Sequence, residues 1–160
     1  LLAADDDNGG TSPIQTLLLA YGDLGVVNLY DPRVSTPSLA ELQTYDVVVV
    51  WSNYVFFDPT AIGNVLADYV DAGGKVINLL FSMGTDGSQM GGRFMDQGYT
   101  ALNGTSLITE ISCLGTFEPT HPIMDGVTDV CDLYRGYGTA LTADSTEVAR
   151  WQDNELFVAV

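Results

Sequence analysis

Tyr45-Asp46-Val47-Val48-Val49-Val50-Trp51, then Asp58-Pro59 at the head of a helical pattern, then Gly73-Gly74-Lys75-Val76-Ile77-Asn78-Leu79-Leu80-Phe81: this stretch decides the fold. The run 47–51 is apolar, β-branched and of strand length, with no polar alternation. Runs of that kind read as strands covered on both faces, as in a parallel sheet flanked by helices. Asp58 is a good N-cap and proline suits the first helical position. Ile62, Val65, Leu66, Tyr69 and Val70 then recur at helical spacing, and Gly73-Gly74 stops the run before the strand-like residues 76–81 begin. Strand, helix and strand in this order make a βαβ unit.

The same grammar extends upstream. Ser38 and Glu41 form a capping box for a short helix carrying Leu39 and Leu42, and residues 26–30 read as another strand. Ser12, Pro13 and Gln15 repeat the box, followed by Ile14, Leu17, Leu18 and Tyr21 at helical spacing and by Gly22. Residues 1–4 are apolar and strand-like. The predicted order is βαβαβαβ, which closes as an open, doubly wound parallel sheet. Downstream of residue 84 the pattern changes. Residues 84–98 read as a long Gly/Asp/Met-rich loop, shorter β-like pieces follow, and 146–151 with 156–160 flank Asp153-Asn154 as a hairpin. The whole of 1–160 is expected to be a single domain. Because the chain starts and stops inside apolar, strand-like runs, it is also expected to be a segment of a longer polypeptide.

Composition bounds the function. The chain has 160 residues, with 21 acidic against 5 basic side chains and a formal net charge of −16. Such a surface repels phosphate backbones and anionic lipid, which argues against nucleic-acid and membrane-surface partners. No apolar run reaches the roughly 18–20 residues that span a bilayer, so membrane insertion is not expected. Lys75 is the only lysine and aspartate outnumbers glutamate, a balance that suits a secreted protein bathed in calcium or one from a salty habitat. An acidic cytosolic domain is the alternative. Cys113 and Cys131 lie 18 positions apart. Oxidised, a loop of that length contributes about 3 kcal/mol in the chain-entropy model. Reduced, the two would be buried thiols. With one histidine and two distant cysteines, no zinc-ligand cluster is expected.

Several stretches together resemble the class I glutamine amidotransferase-like superfamily, in particular its trehalose-utilisation-like (ThuA-like) branch and related domains of secreted, multidomain bacterial proteins. The residues that carry the resemblance are Leu42-Gln43-Thr44-Tyr45-Asp46 with the valine run, Tyr69-Val70-Asp71-Ala72-Gly73-Gly74-Lys75-Val76-Ile77, and His121-Pro122-Ile123-Met124-Asp125-Gly126-Val127, similar to that family's His-Pro-Ile turn. The acidic stretch Asp5-Asp6-Asp7-Asn8-Gly9 is similar to many secreted members, which implies an extracellular or cell-surface setting. The fold implied is a flavodoxin-like open parallel sheet flanked by helices, with a β-rich C-terminal portion. Catalytic members place a cysteine on a strained turn after the strand that follows the Gly-Gly-Lys-like segment. Here that elbow falls on Phe81 or, with a slip of one residue, Ser82. Phenylalanine is no nucleophile. Ser82 lacks the Gly-x-Ser-x-Gly setting, since Leu80 stands where the first glycine belongs, and its only available base is His121.

Ligands of open parallel sheets sit at the carboxyl ends of the strands. That edge is expected to collect Asp5, Asp6 and Asp7 after the first strand, Ser52, Asn53 and Tyr54 after the third, and Ser82 and Asp86 after the fourth. Clustered carboxylates are hard donors suited to Ca²⁺ or Mg²⁺. Reading an EF-hand from Ala4 puts Asp6, Asn8 and Gly9 in register but leaves the first position without an acid, and turn chemistry explains the same residues. Gly84, Gly87, Gly91 and Gly92 fit neither phosphate-binding glycine pattern, and no organic cofactor is expected. Met83, Met90, Phe94, Met95 and Phe56-Phe57 either fold back as core or form a partner-binding patch. The expected function is a non-catalytic amidotransferase-like module acting in protein interaction or assembly. The alternative implied by the resemblance is a carbohydrate-related hydrolase or sugar-binding domain, with Trp51, Tyr54 and Phe56 stacking on sugar rings.

Overall fold

The structure is a computed structural model in which residues 1–5 and 13–160 are described. The first half runs β1 (Leu2–Ala4), α1 (Pro13–Ala20), α2 (Leu39–Leu42), β2 (Val47–Ser52), α3 (Pro59–Asp71) and β3 (Lys75–Asn78). The caps read from the sequence form at two of the three helices. Ser38 Oγ accepts from the Glu41 N–H while the Glu41 carboxylate accepts from the Ser38 N–H, a complete capping box. Asp58 accepts from the N–H groups of Thr60 and Ala61, with Pro59 at the first helical position. The Ser12 cap expected at α1 lies outside the described residues.

β1, β2 and β3 form a three-stranded parallel sheet in that order. Leu2 pairs with Val50, Ala4 with Ser52, Val48 with Val76 and Val50 with Asn78. One face therefore carries Leu2, Ala4, Val48 and Val50, and it meets Ile62, Leu66 and Tyr69 of α3 in the main core. The expected strand at residues 26–30 is reduced to one parallel bridge, Tyr30 with Leu2, in which the Tyr30 N–H donates to Leu1 O and the Ala3 N–H to Tyr30 O. Val26 is 67% exposed, and among the described residues no further strand pairing extends this run.

Cover on both faces of the sheet, as expected from the unbroken valine run, is only partial among the described residues: Ala3 and Trp51 of the second face are buried. Opposite the α3 face, Val47 is 39% and Ile77 50% exposed. α1 contributes no buried residue, and Leu17 on its apolar stripe is 59% exposed. α3 covers one side, while the other presents apolar side chains to solvent.

The second half contains α4 (Gly92–Asp96), β4 (Leu102–Asn103), β5 (Ser106–Phe117), a 3₁₀ turn (Pro122–Met124), β6 (Cys131–Tyr137), β7 (Ala140–Leu141), β8 (Glu147–Trp151) and β9 (Leu156–Ala159). α4 lies inside the stretch expected to be all loop, and Met90 and Phe94 join the main core rather than a surface patch. α3 and the segment before α4 approach so closely that a Cβ on Gly63 would lie 1.7 Å from Gly91 O. β6, β5, β8 and β9 form an antiparallel sheet in that order, and β4 pairs with β7. The expected hairpin is β8–β9, turning at Asn154 with φ +72°. Leu114, Met124, Val148 and Ala149 make a second, smaller core. Arg135 of β6 is buried: its Nε donates to Glu110 O at 2.7 Å, a terminal nitrogen meets Asp153 at 2.7 Å, and its guanidinium lies over Trp151. The fold is thus mixed α/β, a three-stranded parallel sheet joined to antiparallel sheets.

Candidate functional site

β3 ends at Asn78, and the chain then turns sharply. The Leu79 N–H still donates to Val50 O at 2.9 Å, holding the turn to the sheet. Two residues on, Phe81 has φ +67°. A bulky L-residue pays a steric penalty in this region and stays there only where its surroundings enforce it. The Phe81 ring sits 6.1 Å from that of Tyr134 on β6, which helps to hold it. The strained position therefore carries a side chain with no nucleophilic or acid–base chemistry.

Ser82 follows, completely buried. Its hydroxyl lies against Asn78 Oδ1 and against Leu79 O at 2.5 Å, and the Met90 N–H donates to its carbonyl at 2.7 Å. With one hydroxyl hydrogen and two acceptors at hand, Ser82 ties the turn to the end of β3. His121 serves a different element. It caps the 3₁₀ turn, its Nδ1 accepting from the Ile123 N–H at 3.3 Å. Among the described residues no hydrogen bond joins Ser82 and His121. The nearby Glu118 carboxyl is held below its usual value chiefly by the Thr120 hydroxyl and N–H, with a smaller contribution from the His121 charge.

The other carboxyl-edge residues are spread among separate local roles. The N–H groups of Asn53 and Tyr54 both donate to Ala4 O, at 2.8 and 2.9 Å, tying the loop after β2 to the end of β1. Arg33 lies over the Tyr54 ring and grips Asp31 through two hydrogen bonds. Asp86 accepts from the N–H and hydroxyl of Ser88 within its own loop. Asp5 accepts from the Trp51 indole at 3.1 Å, while Asp6 and Asp7 lie outside the described residues. Ser52 is fully buried, and its hydroxyl has no hydrogen-bond partner among the described residues. Of the three aromatic residues considered for sugar stacking, Trp51 and Phe56 are buried and Tyr54 is 44% exposed.

The larger open spaces lie elsewhere. A cavity of about 300 Å³ sits at the amino ends of β2 and β3, between Tyr45, Tyr69 and Lys75. A second, of about 540 Å³, opens on the partly covered sheet face, where Leu18, Leu24, Val26, Val47, Val49 and Ile77 line it. Its walls are overwhelmingly apolar, and one polar contact at its rim joins Asn28 Nδ2 to the Tyr45 hydroxyl at 2.6 Å. Neither cavity is lined by Ser52, Asn53, Ser82, Asp86 or His121.

No protein-family model, curated protein or solved structure matches the chain. The geometry alone has to carry the reading. Two features stand out: a strained turn without a reactive side chain, and an apolar sheet face that the described residues cover only in part. Sequence reading missed the second because an unbroken valine run looks identical whether its far face meets a helix or water. The usable signal was Val26 and Ile77, which keep that face apolar beside polar neighbours Asn28 and Asn78. Cys113 and Cys131 are joined by a disulfide between paired positions of β5 and β6. Among the described residues no helix is long and apolar enough to cross a membrane.

Proposed function

We propose that this chain is a non-catalytic module of the amidotransferase-like, flavodoxin-like kind, which binds another protein chain or domain through the open face of its parallel sheet. The observation that carries the reading is that partly covered face. Val47 and Ile77 of the sheet, with Leu24 and Val26 around the same cavity, are each more than a third exposed. Contiguous apolar surface of this kind marks interaction sites on soluble domains. Absence of catalysis is supported by Phe81 at the strained turn and by Ser82, whose hydroxyl is buried and already engaged. Kinship to the amidotransferase-like group is supported by the place of that turn, after the strand that follows Gly73-Gly74-Lys75. An extracellular setting is supported by the disulfide and by the aspartate-rich, lysine-poor composition.

Light scattering of the native chain over a wide concentration range tests the reading, a second copy being the simplest partner. The expected result is a mass that rises with concentration and falls back to the monomer in Ile77→Lys, which places a charge on the exposed edge-strand part of that face. A wild-type chain that stays monomeric over the whole concentration range, with the same mass as Ile77→Lys, would overturn it.

A further inference from the structure

The geometry points to a second site, on the antiparallel half: Cys113, Cys131 and Asp129 form a binding site for one thiophilic divalent cation, closed while the disulfide stands and opened by its two-electron reduction. Spacing along the chain conceals it, because 18 residues separate the cysteines. Pairing of β5 with β6 places them opposite each other, and one ligand atom from each of the three residues lies within 4.8 Å of the others. The Asp129 carboxylate oxygens stand 3.9 and 4.0 Å from Cys131 Sγ.

These separations suit a metal. Tetrahedral zinc with Zn–S near 2.3 Å and Zn–O near 2.1 Å needs its sulfurs about 3.8 Å apart and sulfur and oxygen about 3.6 Å apart. The carboxylate is already close to that distance. The sulfurs need only rotate apart once their bond is broken. Their backbone has ties besides that bond: the Leu114 N–H donates to Val130 O at 2.7 Å, and the Gln152 N–H donates to Cys113 O at 3.0 Å. Cys113 is thereby held from β6 on one side and from the β8–β9 hairpin on the other. Two thiolates with one carboxylate select zinc-like, thiophilic ions over calcium, and exposed Cys131 leaves room for water as a fourth ligand. The strongly negative surface concentrates cations nearby.

The chemistry balances simply. A dithiol reductant breaks the S–S bond by exchange; its two sulfurs are oxidised to a disulfide, and two electrons and two protons pass to Cys113 and Cys131. Binding the cation then releases both thiol protons to solvent. While oxidised, neither sulfur is a thiolate and the site is shut.

Titrating the full chain with Cd²⁺ tests this, using a trialkylphosphine as reductant, which takes oxygen from water and leaves as the phosphine oxide. The reduced protein is expected to bind one Cd²⁺ per chain with a thiolate-to-metal absorption in the near ultraviolet, and the oxidised protein to show none. Cys113→Ser removes the absorption, and Asp129→Asn weakens binding about tenfold or more. Circular dichroism followed in parallel covers the case in which reduction unfolds the chain. Recovery of structure on adding Cd²⁺ supports the site. A reduced chain that develops no absorption, folded or unfolded, overturns it, as does an Asp129→Asn variant that binds with unchanged affinity.

Discussion

Ser52 is the residue whose environment asks most for a test. It lies at the end of β2 with its hydroxyl buried and without a hydrogen-bond partner among the described residues. A buried, unpaired hydroxyl costs about 1–3 kcal/mol relative to its hydrated state. Ser52→Ala removes that group and leaves a methyl-sized side chain in an apolar setting beside Ala4. The expected result is a gain of about 1 kcal/mol in urea unfolding. A loss of that size would mean the hydroxyl serves a partner such as an ordered water. Phe81 teaches the complementary lesson. Its position at the expected elbow was legible from the distance to Gly73-Gly74, whereas the burial of Ser82 was not. That burial depends on the chain returning so that Met90 can donate to the Ser82 carbonyl, a contact no local pattern encodes.

Among the elements, α3 shows how much of the fold a sequence exposes and where it stops. Its Asp58 cap, Pro59 start, apolar stripe and Gly73-Gly74 stop are all local properties, and they form as read. Gly63 lies inside the helix, where glycine lowers helix propensity. In the structure it is the place where the backbone at Gly91 lies against α3, with Gly91 O where a Cβ would be. Gly63→Ala gains up to about 1 kcal/mol in helix propensity. Overpacking against backbone costs about 1–3 kcal/mol, occasionally more, and neither partner here is a flexible side-chain end. A net loss of about 2 kcal/mol is expected in urea unfolding, with the separation of α4 from α3 visible as faster amide exchange in residues 91–96. Stability equal to wild type would mean α4 is not firmly seated. Residues 26–30 and α1 mark the limit of such reading. Their apolar patterns are real, but whether an apolar face meets a partner depends on the rest of the molecule. The disulfide partners, likewise, met only through the β5–β6 register.

For the whole molecule, charge decides the response to solution conditions. Burial raises the Asp153 carboxyl, but the Arg135 hydrogen bond, the Glu155 N–H and the Arg135 charge outweigh it and hold it below its ordinary value. Asp31 is lowered by its Arg33 hydrogen bond, Glu147 by Arg150, and Asp71 by the Tyr99 hydroxyl and then Arg93. A carboxyl lowered on folding contributes stability above its unfolded pKa, and that contribution is lost as pH falls through the folded value. Against this, a net charge of −16 at neutral pH repels itself, and protonation of the unpaired acids relieves the repulsion. Stability at fixed ionic strength is therefore expected to rise modestly from pH 7 towards about pH 5 and to fall below about pH 4, where the unfolded acids bind protons first. A monotonic fall from pH 7 downwards would show that the paired carboxylates dominate. The same repulsion predicts that sodium chloride raises the melting temperature at pH 7, since exposed like charges are screened over about 10 Å at 0.1 M salt. Calcium and magnesium chloride at matched ionic strength then separate screening from site binding. A further rise with calcium alone, by mass action, would report Ca²⁺ binding, and its loss in Asp6→Asn or Asp7→Asn would assign that binding to the acidic stretch. Equal melting temperatures in the two divalent salts would remove the case for a calcium-selective site at residues 5–7.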